Sequence, residues 1–98
     1  LDRQADVFAL VADYLKLEAA QLDPTDTRVL REVPEVVARV ALREWLRAGT
    51  EERHPPDAAT IDRVMAVVRG DAVATELGGN RRVERTAGKL RIVTTPKG

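Results

Sequence analysis

The side chains on this sequence with the means to meet a ligand are guanidinium groups. Arg39, Arg43 and Arg47 stand four residues apart, and Arg81, Arg82, Arg85, Lys89 and Arg91 crowd a second stretch near the end. Thirteen arginines stand against three lysines. The planar fork of donors on arginine meets two phosphate oxygens at once, where an ammonium offers a point charge. Either group alone reads equally well as a solvated face. Taken together, beside an acidic opening segment that would repel the same ligand, they point to a polyanion partner. Arg63 and Arg69 are expected to add to that surface.

Other chemistry is excluded or poorly supported. The chain has no serine and no cysteine, which rules out serine or thiol nucleophiles, disulfides and thiolate metal sites. His54 sits alone in the polar loop from Thr50 to Pro56 and is a poor metal ligand without a second histidine or a cysteine. Gly78-Gly79 lacks the lysine and the strand-to-helix setting of a phosphate loop and is read as a hairpin turn. Glu51 and Glu52 read as a solvated pair. No catalytic residue, metal ligand or cofactor is assigned to the chain.

Ninety-eight residues make one domain with a modest core. Phe8, Tyr14 and Trp45 are the only aromatics, so aliphatic side chains must do most of the packing. Sixteen acidic and sixteen basic residues cancel in sum but not in place. Residues 1–30 hold Asp2, Asp6, Asp13, Glu18, Asp23 and Asp26 against three bases, whereas Glu84 is the one acid among six bases in residues 78–98. No apolar run reaches membrane-spanning length, the opening LDRQADV lacks the pattern of a signal peptide, and cysteine is absent, so a cytoplasmic protein with no membrane partner is expected. An opening Leu1 in place of Met is read as the mark of an excised or processed segment.

Four helical stretches and a short sheet are needed to position the cations. Val7, Leu10, Val11, Tyr14 and Leu17 repeat at helical spacing, with Phe8, Ala12 and Leu15 beside them, which predicts a long leading helix with a wide apolar stripe. Leu22 to Asp26 is turn chemistry, with Thr25 or Asp26 as the cap of a short helix over 27–32. Pro34 and Gly49 bracket roughly four turns of helix. Val37, Val40, Ala41, Trp45 and Ala48 are its expected core face, the arginine stripe its outer one. Ile61, Val64, Met65 and Val68 line a fourth helix ending at Arg69-Gly70. Beyond Asp71 the period falls to 2: a short strand at 75–77, a turn at Gly78-Gly79-Asn80, and a hairpin of 81–86 with 89–94 around Ala87-Gly88. A two-residue turn sets Val83 opposite Ile92 and Arg85 opposite Leu90 on one face. Glu84 then lies opposite Arg91 on the other face, with Arg82 and Lys89. Thr95 to Gly98 is read as a frayed end. The expected fold is α+β, four helices (one short) followed by a small antiparallel sheet with a C-terminal β-hairpin. It forms a single domain over 1–98 with a leading helix (1–22), a helical core (27–70) and a basic hairpin sheet (74–95).

This order resembles the substrate-binding domain that follows the catalytic domain of tRNA(Ile)-lysidine synthases, over about Ala5 to Val93. A leucine-bearing step into proline, basic residues interleaved with aliphatics and a closing Trp-Leu pair fall on Leu30, Val33, Pro34, Arg39, Val40, Arg43, Trp45 and Leu46. A glycine, a basic strand, a second glycine and a basic-leucine ending fall on Gly79, Arg81, Val83, Arg85, Gly88, Lys89, Leu90 and Ile92. The family's Ser-Gly-Gly-x-Asp-Ser signature for ATP is missing, as is the further C-terminal domain of some members. The resemblance implies a complete enzyme that uses ATP, with magnesium, to adenylate a wobble cytidine in an isoleucine tRNA and attach lysine there. This chain would supply tRNA contacts, with Arg39, Arg43, Arg47, Arg81, Arg82, Arg85, Lys89 and Arg91 as the candidates, to a catalytic domain carried upstream on the same polypeptide.

Two other classes of function remain open. Three helices followed by a basic hairpin also describe a winged-helix DNA-binding domain. There the helix before the wing should read bases, yet residues 57–69 offer only Arg63 and Arg69 for that task. A structural or dimerising module would use the leading helix's wide stripe as its interface and form a homodimer.

Overall fold

The computed structural model describes residues 3–48, 56–78 and 80–94. The expectations for Leu1, Gly49, Glu51, Glu52, His54, Gly79 and residues 95–98 lie outside the described residues, as do those for the side chains of Val7 and Phe8. Helices α1 (Arg3–Ala20), α2 (Thr27–Glu32), α3 (Glu35–Ala48) and α4 (Ala58–Arg69) precede strands β1 (Ala74–Gly78), β2 (Arg81–Thr86) and β3 (Lys89–Thr94). The architecture is α+β, as expected. No described helix is long and apolar enough to cross a membrane.

Each helix begins and ends on local chemistry. Of the two capping candidates before α2 it is Asp26 that caps, accepting from the Arg28 and Val29 N–H groups. Thr25 instead donates both its N–H and its hydroxyl to Asp23 Oδ1, which tightens the turn. Val33 is held extended ahead of Pro34, because proline crowds the helical conformation of the residue before it. Pro34 stands one place before α3, its carbonyl accepting from the Val37 and Ala38 N–H groups. Asp57 caps α4 by accepting from the Thr60 N–H at 2.8 Å. Gly70 ends it in the left-handed region at φ 88°, where a side chain would be strained.

The core is assembled from one face each of α3 and α4, Leu30 of α2 and the inner face of the sheet. On α3 the buried face is Val37, Ala38, Ala41, Leu42 and Leu46. It is rotated from the expected one: Val40 and Trp45 lie at its margin, half-buried, and Ala48 is exposed. The reason is steric. Ala38 and Ala41 let neighbouring backbones approach closely, and the two leucines fill the space that remains. On α4, Ile61, Val64, Met65, Val67 and Val68 are all buried, because this helix packs on α2 and α3 as well as on β1 and β2. Each fully buried leucine or isoleucine contributes roughly 1.5–3 kcal/mol.

The strands form one antiparallel sheet in the order β1-β2-β3. Val83 pairs with Ile92, Glu84 with Arg91 and Arg85 with Leu90, the register expected from a two-residue turn. Both turn residues have positive φ, Ala87 at 53° and Gly88 at 78°, the hairpin geometry that matches strand twist. Alternation puts Val83 and Leu90 into the core and turns Arg82, Glu84 and Arg91 outward. A shift in register between Glu76 and Gly78 bends the edge of β1.

The hairpin tip is tied to the turn between α1 and α2. Thr27, buried, donates its backbone N–H and its hydroxyl to the Gly88 carbonyl at 3.0 and 2.9 Å. The Leu90 N–H donates to the Thr25 carbonyl at 2.7 Å. No local pattern in the sequence signals this tie across 61 residues.

Candidate nucleic-acid interface

The eight expected cationic residues fall into four environments. Arg43 and Arg47 lie one turn apart on the solvent side of α3, exposed and without an ion pair among the described residues. Arg91 is exposed on the outer face of β3, opposite Glu84. These three can meet a ligand without first giving up a partner among the described residues.

Arg39, Arg82 and Lys89 are held by acids. Arg39 Nη1 donates to Asp62 Oδ1 of α4 at 2.7 Å, and only 27% of its side chain is exposed. Precession along α3 explains the difference: residues four apart advance about 40° round the helix, so the stripe starts at the α4 junction and ends in solvent. Arg82 donates through Nε and Nη2 to Glu84 Oε1, both at 3.2 Å. Lys89 Nζ reaches Asp23 Oδ2 at 3.1 Å and Asp26 Oδ2 at 3.4 Å, closing the clamp that Thr27 begins.

That cluster perturbs its own titration. The Thr25 hydroxyl and N–H, then the Lys89 ammonium, hold the Asp23 carboxyl down at about 2. Partial desolvation pushes Asp26 up, but the Val29 and Arg28 N–H groups and the Lys89 charge outweigh it and leave its carboxyl below the usual range. The Asp23 carboxylate in turn raises Lys89 above its ordinary value.

Arg85 faces inward, against expectation. Its place opposite Leu90 on the core side of the sheet follows from the register. Its Nε is buried without a hydrogen-bond partner, and its Nη2 lies 3.9 Å from where a side chain on Gly70 would begin. The guanidinium thus sits over the C-terminal end of α4, where the helix dipole favours positive charge. Arg81 shares that face, half-buried and engaged in an interaction of its own.

The two cationic stretches are not one surface. α4 packs on α3 and also on β1 and β2, so the α3 arginines and the sheet are joined through α4 and not edge to edge. Arg63, exposed on α4, bonds to the Thr60 hydroxyl at 3.3 Å, and Arg69 pairs with Glu35. One further cation is not apparent from the sequence pattern. Arg31 lines a cleft of about 320 Å³ with Leu30, Val33, Glu35, Met65 and Arg69, and its only sequence signal is a basic residue in the last turn of a short helix.

The residues that would have to cradle a nucleotide do not fit one. Gly78 closes β1 and Arg81 opens β2, a strand-to-strand link with no helix N-terminus behind it to hold phosphate.

In comparisons with known proteins, no family model, no curated protein and no solved structure matches this chain.

Proposed function

We propose that this chain is a tRNA-contacting domain of the kind that follows the catalytic domain of tRNA(Ile)-lysidine synthases, a module of recognition and not of chemistry. The observation that carries the reading is the Arg43–Arg47 pair. Two guanidinium groups one helical turn apart, exposed and without acid partners among the described residues, suit consecutive phosphates of a folded backbone. Arg91 offers a separate contact on the sheet. Lysine attachment and ATP use belong, on this reading, to a catalytic domain of the same polypeptide.

The winged-helix alternative draws less support. A recognition helix needs a broad free face for the major groove. α4 buries Ile61, Val64, Met65, Val67 and Val68 between helices and sheet and commits Asp62 and Arg69 to ion pairs with α3. A direct test competes folded tRNA against duplex DNA of equal charge for the purified chain. The tRNA reading expects preference for the folded RNA, through shape and 2′-hydroxyl contacts. Equal affinity would reduce the surface to non-specific polyanion binding.

A further inference from the structure

We infer that the exposed apolar side of α1 docks an amphipathic helix of another protein, one whose apolar seam is edged by lysine or arginine. α1 has two apolar sides and uses one. Leu15, Ala19 and Leu22, at its end and just beyond, pack on the core. Leu10, Tyr14 and Leu17 remain 68%, 60% and 66% exposed, with Val11 beside them at 48%. Their four-then-three spacing is that of a helix-pairing seam. Large apolar side chains at this exposure form a contiguous patch on the order of several hundred Å², which on a soluble protein marks an interaction site.

The charges around the seam select the occupant. Asp13, exposed, stands on the edge beside Leu10 and Leu17. Glu18, half-buried, lies one turn beyond Tyr14. Lys16 is the one base between Leu10 and Ala20, and two residues from Tyr14 it points about 160° away round the helix. Carboxylates beside an apolar seam disfavour nucleic acid and anionic bilayers alike. They also disfavour a second copy, because a twofold antiparallel pairing sets the Asp13 edge of one α1 against the same edge of the other. The α3 face of a second copy offers Arg43 and Arg47, but Val36 is its one well-exposed aliphatic side chain, too little for a seam. A helix with leucines at the same spacing and basic edges satisfies both the apolar and the ionic requirement. A seam of little more than one heptad, from Leu10 to Leu17, buries less than the roughly 800 Å² per partner of a stable complex, so the contact is a reversible one.

The test uses two labelled helical peptides with the same leucine seam, one edged with lysine and one with glutamate, titrated against the whole chain by fluorescence anisotropy. The lysine-edged peptide is expected to bind at least about tenfold tighter. Leu10→Gln with Leu17→Gln, both surface changes that leave the core intact, should remove that binding. Asp13→Lys should shift preference toward the glutamate-edged peptide. Equal binding of both peptides, binding of neither, or lysine-edged binding that survives the double leucine change overturns the proposal. So does a concentration-dependent dimer in sedimentation that the leucine changes dissolve, since a second copy would then be the occupant.

Discussion

Arg39 on α3 and Asp62 on α4 share a 2.7 Å hydrogen bond, and one turn back along α3 Glu35 pairs with Arg69 in the opposite polarity. Two ion pairs of reversed sense bridge α3 and α4, and the first arginine of the stripe is held in one of them. Asp62 is 66% exposed, so the pair is screened and its coupling is small. Arg39→Gln should lower the unfolding free energy by less than about 1 kcal/mol in urea titrations and leave RNA affinity unchanged. A loss of affinity matching that of the exposed arginines would return Arg39 to the interface.

The core makes a sharper demand. Leu42 is wholly buried on α3, whereas Trp45 is packed at the margin of the cluster. Leu42→Ala should cost about 2–5 kcal/mol. Trp45→Ala, from a half-buried position, should cost less, on the order of 1–3 kcal/mol. Thermal melts of the two variants side by side check the order. Trp45→Ala as the more damaging change would put the tryptophan back at the centre of the core.

The Asp23 carboxylate, held first by the Thr25 hydroxyl and N–H and then by the Lys89 side chain, gives the protein an acid-sensitive contact. Asp23 titrates at about 2 in the folded chain, below its ordinary 3.8, so its contribution is complete above about pH 4 and is lost as pH falls through 2. With the two side chains 55% and 51% exposed, that contribution is under about 1 kcal/mol. Asp23→Asn should therefore be less stable than the parent at pH 6, and the gap in urea midpoints should close between pH 4 and pH 2. A gap that stays constant over that range would mean the carboxylate charge does not matter. Lys89 carries the converse sign: its raised value makes its contribution present at neutral pH and lost only on the alkaline side.

At the hairpin tip, Ala87 holds φ at 53°, where a β-carbon is strained and glycine or asparagine is not. Ala87→Gly relieves roughly 1–2 kcal/mol of left-handed strain against an entropic cost of about 0.4–1 kcal/mol, so it should raise stability by up to about 1 kcal/mol. Differential scanning calorimetry reads this directly, and a lower melting temperature would show that the methyl group has packing value that outweighs the strain.

The legible parts of this fold are those written in local chemistry. Asp26 and Gly70 mark helix ends because each serves neighbours two to four residues away. Ala87-Gly88 sets every pair between β2 and β3, since a two-residue loop leaves one register. What depends on distant partners is not legible. Lys89 and Arg82 look alike in sequence, yet Lys89 is neutralised by Asp23 from 66 residues away and Arg82 by its near neighbour Glu84. Arg85 reads as a surface cation by composition, although the same register that sets it opposite Leu90 already implies an inward face. On α3 the apolar residues fit two overlapping faces, and the contacts with α1 and α4 choose the one containing Leu42 and Leu46 over the one containing Val40 and Ala48.

Whether the exposed arginines of α3 meet RNA phosphates is decided by the salt dependence of tRNA binding by the parent chain and by Arg43→Gln with Arg47→Gln. Each phosphate that is no longer neutralised takes close to one unit from the slope of log affinity against log salt. The double variant should bind more weakly, with a slope shallower by about one to two and an unchanged fold by circular dichroism. Superimposable titrations for the two proteins across the salt range would contradict that contact.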